Sequence, residues 1–375
     1  MMTHMHEAEV VVIGGGAVGC SIAYHLAKRG KDVTLIDKSE PGSGTSGLNF
    51  GLVWPQSIVD PDYLTFNIQS TALWPALVDE LGEDVDFRQG GGLTLCLTEA
   101  DYTEKETMMV QQSKSPLFEG RMISPEAVFA MQPGASRDII GARWTPHDGD
   151  VDWIKWTAAL ERGCYRVGVR MLSQHEAVGF RRDSNNAIVG IETTQGEIKA
   201  TAVVCAAGVW TSHICQMIGL HIDLKPIRGQ ILITEPTEQI CPVPMSTVRQ
   251  SPSGEFFMGI TREDVGYDWT TTTEGYQHIC KTAPKLVPAV QGLPIKRHIA
   301  GLRPIPADGL PLLGPVEKIP GFYLAVGHSG ITLSPLHGKV ISDLIVDGQT
   351  AYPIDSYNPQ RFEKTSNLSV ETSYL

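Results

Sequence analysis

The chain has 375 residues, 42 of them acidic and 30 basic, with a formal net charge of −12 and 42% hydrophobic residues. That length makes room for about two domains of roughly 100 to 200 residues, and an acidic balance without any lysine- or arginine-rich run excludes nucleic acid as a partner. No apolar run approaches the ~18 to 20 residues of a membrane span, and the first strand begins by Val10, so no signal sequence fits and a cytoplasmic protein is expected.

In chain order, Val10 to Ile13 opens as a near-continuous apolar strand. It runs into Gly14-Gly15-Gly16-Ala17-Val18-Gly19. A helix is expected from Ala17 to Lys28, with Gly30 placed to end it, followed by a second buried strand from Val33 to Ile36. Tyr63 to Leu81 and Asp101 to Gln112 have helical spacing. Two turn signals, Asp183-Ser184-Asn185-Asn186 and Gln195-Gly196, frame alternating residues that read as a hairpin feeding a third buried strand, Ala202 to Ala206. Gly229 to Thr234 and Glu255 to Ile260 alternate like strands with one buried face. Phe322 to Val326 is a fourth buried strand, and the last helix is expected to be capped by Ser334, to begin at Pro335 and to end before Gly348. The fold class is therefore an α/β nucleotide-binding domain with an inserted β-meander, plus a mixed α+β domain rich in antiparallel strands. The expected division is 1–55, 151–222 and 300–375 for the first domain and 56–150 with 223–299 for the second.

Gly14, Gly16 and Gly19 satisfy the GxGxxG spacing: the first permits the tight turn, the second lets the backbone approach a pyrophosphate, and the third lets helix and strand pack closely. Asp37 ends the next strand 18 residues after Gly19 (37 − 19), where a carboxylate accepts hydrogen bonds from the adenosine ribose. NAD and FAD share this fingerprint, so it does not choose between them. Seven scattered cysteines without a CxxC pair, and no paired histidines with ligand spacing, give no expectation of a metal or an iron–sulfur centre within this chain.

Taken together, the loop Pro41 to Gly51, the run Val204 to Trp210, Arg228-Gly229-Gln230-Ile231, Gly301-Leu302-Arg303-Pro304, Asp308 to Pro311 and Gly327-His328-Ser329-Gly330 resemble the D-amino-acid-oxidase-type flavoproteins. The likeness covers nearly the whole chain in the right order. By pattern the nearest members are glycine oxidase and the flavin subunits of opine oxidase, hydrogen cyanide synthase and D-hydroxyproline dehydrogenase. The resemblance implies a glutathione-reductase-type fold and FAD. It implies that Gly44, Thr45 and Ser46 line the pyrophosphate, that Gly51 and Leu52 approach the ring, and that the backbone of Ala177 meets the adenine. Ala17, Val18, Lys38, Ala207, Gly208, Trp210 and His328 are further expected cofactor contacts. Gly330, Ile331 and Thr332 would present helix-start N–H groups to the flavin, where their partial positive charge stabilises the reduced anion.

On the substrate side, Arg303 precedes a proline, which biases it to an extended conformation, and its fork suits a carboxylate. A lone arginine at such a place is read first as an interface salt bridge; the resemblance reverses this and makes it the substrate-carboxylate anchor. With that anchor, hydride passes from Cα to flavin N5 and gives an imine. No obligatory acid or base is needed if desolvation keeps the amine neutral. Resemblance to the monomeric sarcosine oxidases would place an oxygen-activating lysine near Phe256-Phe257-Met258-Gly259 and a flavin-bearing cysteine between Arg303 and Gly314; neither is present. The FAD is therefore expected to be non-covalent and oxygen a poor acceptor. Phe50 and Trp54 are candidate pocket walls for a secondary or cyclic amine. In such relatives the flavin subunit works beside a second flavoprotein subunit and a small iron–sulfur subunit. The competing expectations are an oxygen-using oxidase acting alone, an NAD(P)-linked dehydrogenase and a non-catalytic flavin-bearing subunit.

Overall fold

A computed structural model of the protein describes residues 6–364. The ends of the expected cofactor domain, 1–5 and 365–375, lie outside the described residues.

The central sheet has six strands in the order Arg170–Leu172, Val33–Ile36, Val10–Ile13, Ala202–Cys205, Phe322–Val326 and Leu312–Pro315. All neighbours are parallel except the last pair. The four strands expected from continuous apolarity are therefore adjacent, and the reason lies in their two faces. Val10 and Val12 point into one apolar cluster with helices Ala17–Lys28, Trp153–Arg166 and Gly330–Asp347. Val11 and Ile13 point into another, shared with the meander strands Ala177–Arg182, Ile188–Thr193 and Gly196–Lys199 and with helix Thr211–Met217. A strand covered on both sides has no polar face to offer.

The second sheet is antiparallel. Leu224–Thr234 sits at its centre between Phe256–Gly259 and Ile295–Pro306. The one-face burial expected for these strands is not what forms: Gly229 to Thr234 and Phe256 to Gly259 are buried throughout. Ile231 and Ile233 pack with Phe50, Trp153 and Phe257. Leu232 turns the other way, onto Phe256, Met258 and Ile279. The polar positions survive burial because they are bonded, as when Gln230 donates to Glu263 and Thr272. The Ile295–Pro306 strand also runs unbroken through residue 300, so the boundary expected there cuts a continuous strand.

The last helix begins five residues before the expected Pro335, at Gly330. A proline at the sixth helical position removes a donor from the Ile331 carbonyl. Ser334, expected as the cap, supplies that bond instead from its hydroxyl, at 2.9 Å. The Thr332 carbonyl is taken by Ser70 Oγ at 2.7 Å and Trp74 Nε1 at 3.0 Å. Helix Pro61–Leu81 thereby fixes the start of the C-terminal helix. Among the described residues no helix is long and apolar enough to cross a membrane.

Candidate active site

One cavity of about 1650 Å³ runs from the glycine turn to the second sheet. Its walls include Gly14, Gly16, Val18, Asp37 and Lys38 from the N-terminal end, and His328, Gly330, Ile331 and Thr332 from the C-terminal end. The two helix starts are neighbours: a Cβ built on Gly330 would have Val18 Cγ2 as its nearest contact, at 3.5 Å. This follows from the sheet, since Val10–Ile13 and Phe322–Val326 flank the same strand, Ala202–Cys205, and both lead into helices on the same face.

At the N-terminal turn, Gly14 has φ +107°, which only glycine adopts without strain. Gly19 lies behind the turn, where an added Cβ would come within 1.9 Å of the Gly14 carbonyl oxygen. The first bond of the helix runs from Cys20 N to Gly16 O, which leaves the N–H groups of Val18 and Gly19 without an intrahelical acceptor. Asp37 accepts hydrogen bonds from Gly15 N at 2.7 Å and Ser39 N at 2.8 Å, and burial raises its pKa above the ordinary carboxylate value.

The loop that follows is tied down rather than free. Thr45 Oγ1 donates to the Leu302 carbonyl at 2.6 Å, Gly42 N to the Gly15 carbonyl at 2.9 Å, and Gly51 N to Asn49 Oδ1 at 2.7 Å. Lys38 lies 3.8 Å over the Trp210 ring, whose edge also meets Gly44.

At the other end, Leu333 N makes the first helical bond, to Ser329 O. The N–H groups of Gly330, Ile331 and Thr332 have no intrahelical acceptor, and all three residues line the cavity. Thr332 Oγ1 accepts from Trp54 N at 3.0 Å, so its side chain is structural and its backbone is what faces the site. His328 is half-buried beside Ser329 Oγ, and desolvation followed by Arg303 and Arg262 pushes its pKa down to about 3. It is neutral at any ordinary pH.

Arg303 comes from the Ile295–Pro306 strand and lies over Gly229, where a Cβ would meet its Nη2 at 2.2 Å. It donates to the carbonyls of Thr261 at 3.1 Å and Arg228 at 3.5 Å. Among the described residues it has no carboxylate partner within ion-pair distance. Desolvation, then the neighbouring Arg262, pulls its pKa down to about 10, so it stays charged. Glu263, already paired with Arg228, acts on it only at longer range, so a desolvated cation with no carboxylate bonded to it faces the cavity and suits an anion.

Of the expected contacts, Gly14, Gly16, Val18, Asp37, Lys38, Gly44, Thr45, Ser46, Gly51, Leu52, Ala177, Ala207, Gly208, Trp210, Arg303, His328, Gly330, Ile331 and Thr332 line the one cavity. Ala17 and Gly19 do not. Ala17 N is capped by Ser46 Oγ at 3.0 Å, and Gly19 serves the helix–strand contact. Phe50 and Trp54 are on the wall, whereas Phe256, Phe257 and Met258 are core. The sequence reading missed Arg143 and Arg262, which also line the cavity. Arg143 sits in the central strand of a three-stranded sheet, Gly141–Thr145, and Arg262 in the loop before Glu263–Asp264, and neither segment carries a motif that marks a site.

The donors fit a dinucleotide: helix-start N–H groups for a pyrophosphate at one end, and a second set at the other for the electron-rich edge of a ring. The profile of a family described as FAD dependent oxidoreductase matches residues 9–344. A subunit of the opine oxidase of Rhizobium meliloti is 28% identical over 370 residues, covering 96% of this chain and 99% of its own. The crystal structure of L-proline dehydrogenase from P. horikoshii superposes with a TM-score of 0.87 at 30% identity, covering 96% of this chain and 98% of that one. That of glycine oxidase from Geobacillus kaustophilus gives 0.89 at 26% identity, covering 95% and 99%.

Proposed function

Because the chain belongs to the family of FAD-dependent oxidoreductases, we propose that it oxidises the Cα–N bond of an amino acid or secondary amine whose carboxylate is held by Arg303. The observation that carries this reading is the Arg303 guanidinium, bonded to carbonyls and to no carboxylate among the described residues, on the wall of the cavity that both helix starts enter. Relatives named as glycine oxidase, as a component of opine oxidase and as L-proline dehydrogenase support the reaction class.

FAD, when bound, supplies the acceptor for the Cα hydrogen and its electron pair. The Gly14 to Gly19 turn and Asp37 hold the nucleotide end, with Gly44, Thr45 and Ser46 along the pyrophosphate and Ala177 at the adenine. Gly330, Ile331 and Thr332 direct their N–H dipoles at the other end, where negative charge is favoured. Arg303 fixes the carboxylate with a two-point fork, which aims the Cα–H bond and reduces the entropy of alignment. The apolar walls, Phe50 and Trp54 among them, exclude water and keep the amine neutral by desolvation. No side chain has to take a proton: His328 is held neutral and contributes bulk and a ring face.

The nucleotide-binding unit follows the six-stranded sheet and its meander, and the substrate unit follows the three antiparallel sheets outside them. The absence of a lysine at Phe256 to Gly259 favours an electron acceptor other than oxygen. Work alongside a second flavoprotein and an iron–sulfur protein, as one member of a larger enzyme, is in keeping with relatives whose names call them subunits. The test is anaerobic: yellow purified enzyme is mixed with glycine, sarcosine, proline and hydroxyproline of both hands, and opines. Bleaching by at least one amine is expected, and enzyme that stays yellow with all of them refutes the reading. Oxygen consumption on the best amine then separates oxidase from dehydrogenase.

A further inference from the structure

We propose that residues 265–271 form a strap across the mouth of the cavity and retain FAD in it, with Trp269 as a further cofactor contact and Tyr267 as the fastening. The inference rests on FAD as the occupant of the cavity and stands apart from the amine oxidation proposed above.

Both ends of the segment are fixed to the second sheet. Glu263 and Asp264 pair with Arg228 and Ile227 of its central strand. Thr272, the cap of helix Thr273–Leu286, is bonded to the Gln230 side chain in both directions, at 2.9 and 3.0 Å. Between these anchors the chain turns at Gly266, with φ +64°, and reaches over to the nucleotide-binding unit. There Tyr267 Oη donates to the Val209 carbonyl at 3.0 Å and lies 3.2 Å from His213 Nδ1, with the two ring centroids 5.1 Å apart. Trp269 meets Trp210 in a T-shaped contact with centroids 5.8 Å apart. Arg228, only 4% exposed, braces the span from the second sheet by donating to Asp268 Oδ2 at 2.8 Å and to the Thr270 carbonyl at 3.0 Å.

Trp269 lines the cavity and is yet 46% exposed, and Met217, on the facing helix Thr211–Met217, lines it at 43%. Side chains that are at once cavity wall and half in solvent stand at its mouth. Trp210 fixes which part of the cavity this mouth serves, because its ring edge meets Gly44, in the loop proposed above to line the pyrophosphate. Residues 265–271 have neither helical nor strand bonding, and the span is mostly exposed. Such a span opens locally at small cost, whereas a dinucleotide behind it gives the Trp269 ring more surface to bury and holds the strap down.

The test is exchange. Holoenzyme carrying radiolabelled FAD is diluted into excess unlabelled FAD and the loss of label is timed, while uptake of FAD by apoprotein is followed by flavin absorbance. Trp269→Ala and Tyr267→Ala are expected to release FAD at least about tenfold faster than wild type, the size of an aromatic contact or of a hydrogen bond joined to one. Uptake should be no slower, and the apoprotein Tm should stay within about 2 °C, since both side chains are exposed. Tyr267→Phe, which keeps the ring and loses the hydroxyl, should fall between. Release within about twofold of wild type in either alanine variant overturns the proposal. Slower uptake with unchanged release overturns it too, as the mark of a damaged site rather than an opened one. In wild type, the amides of residues 265–271 should exchange hydrogen more slowly with FAD bound than without it, and equal rates refute the strap even if an alanine variant fails to keep its flavin. Amine substrates enter none of these measurements, so an enzyme that no amine reduces leaves the strap standing, and an unaltered release rate leaves the proposed reaction standing.

Discussion

Arg303→Met separates a substrate anchor from a structural arginine, because the two roles move stability in opposite directions. The desolvated guanidinium has its pKa pulled from 12.5 to about 10. At ~1.4 kcal/mol per pKa unit this corresponds to a cost on the order of 3 kcal/mol for keeping the charge in the folded state. Removing it releases that cost and strands two carbonyls, of Thr261 and Arg228, worth about 1 kcal/mol each. The net is a small gain. With an unfolding entropy of roughly 2.1 cal/mol/K per residue over 375 residues, about 1 kcal/mol moves Tm by about 1 °C. Substrate-free holoenzyme should therefore keep its Tm or gain about 1 to 2 °C. A buried arginine that served an ion pair would instead cost about 3 to 5 kcal/mol, a fall of about 4 to 6 °C. On the functional side, two charged hydrogen bonds to a carboxylate are lost, so substrate Kd should rise by about a hundredfold or more. The assays are thermal unfolding of the FAD-loaded enzyme without substrate and anaerobic flavin titration with the best amine. A Tm drop beyond about 4 °C, with Kd changed less than threefold, would refute the reasoning.

Gly19→Ala places a methyl group 1.9 Å from the Gly14 oxygen, well inside the ~3.5 Å contact distance, so the glycine turn must move by about 1 Å or more. The variant should lose about 1 to 3 kcal/mol of stability and purify with little FAD; full flavin content at wild-type Tm contradicts the close-packing role. His337 is buried with neither ring nitrogen bonded among the described residues, and burial lowers its pKa to about 4. Its folded pKa lies below the unfolded value near 6.5, so its contribution, complete above that value, is lost on acidification at ~1.4 kcal/mol per pH unit between about 6.5 and 4. His337→Leu should flatten the fall in Tm from pH 6.5 to 4.5, and an unchanged slope counts against it. Asp148 acts in the opposite sense: with its pKa raised to about 7, the folded state is favoured below the unfolded value near 4 and loses that advantage as pH climbs through 7. Asp148→Asn should therefore steepen the acid-side fall in Tm, and a shallower profile in the variant would mean that the folded pKa of this acid lies below its unfolded value.

How far the site could be read from sequence depends on whether a residue's neighbours are local. Val10 to Ile13, Ala17 to Lys28, Val33 to Ile36 and Phe322 to Val326 form as their sequence indicates, because continuous apolarity and a glycine turn are local signals of a strand covered on both faces. The second sheet was harder. Alternation at Gly229 to Thr234 looks like a solvated face until Glu263 and Thr272 arrive from elsewhere to bond Gln230. The last helix was displaced for a similar reason: Pro335 reads as a first position, yet Ser334, Ser70 and Trp74 supply donors for the carbonyls around the proline and let the helix start at Gly330. That shift bears directly on function, since a helix starting at Pro335 would leave no aligned N–H groups at Gly330 to Thr332. Arg143 shows the limit most sharply. Its pairing with Thr94 and its two glutamine partners, 87 and 31 residues distant, exist only once the helix ending at Gln112 and the short helix at Gln56 pack on the Gly141 to Thr145 strand, so nothing in that strand alone marks it as lining the cavity.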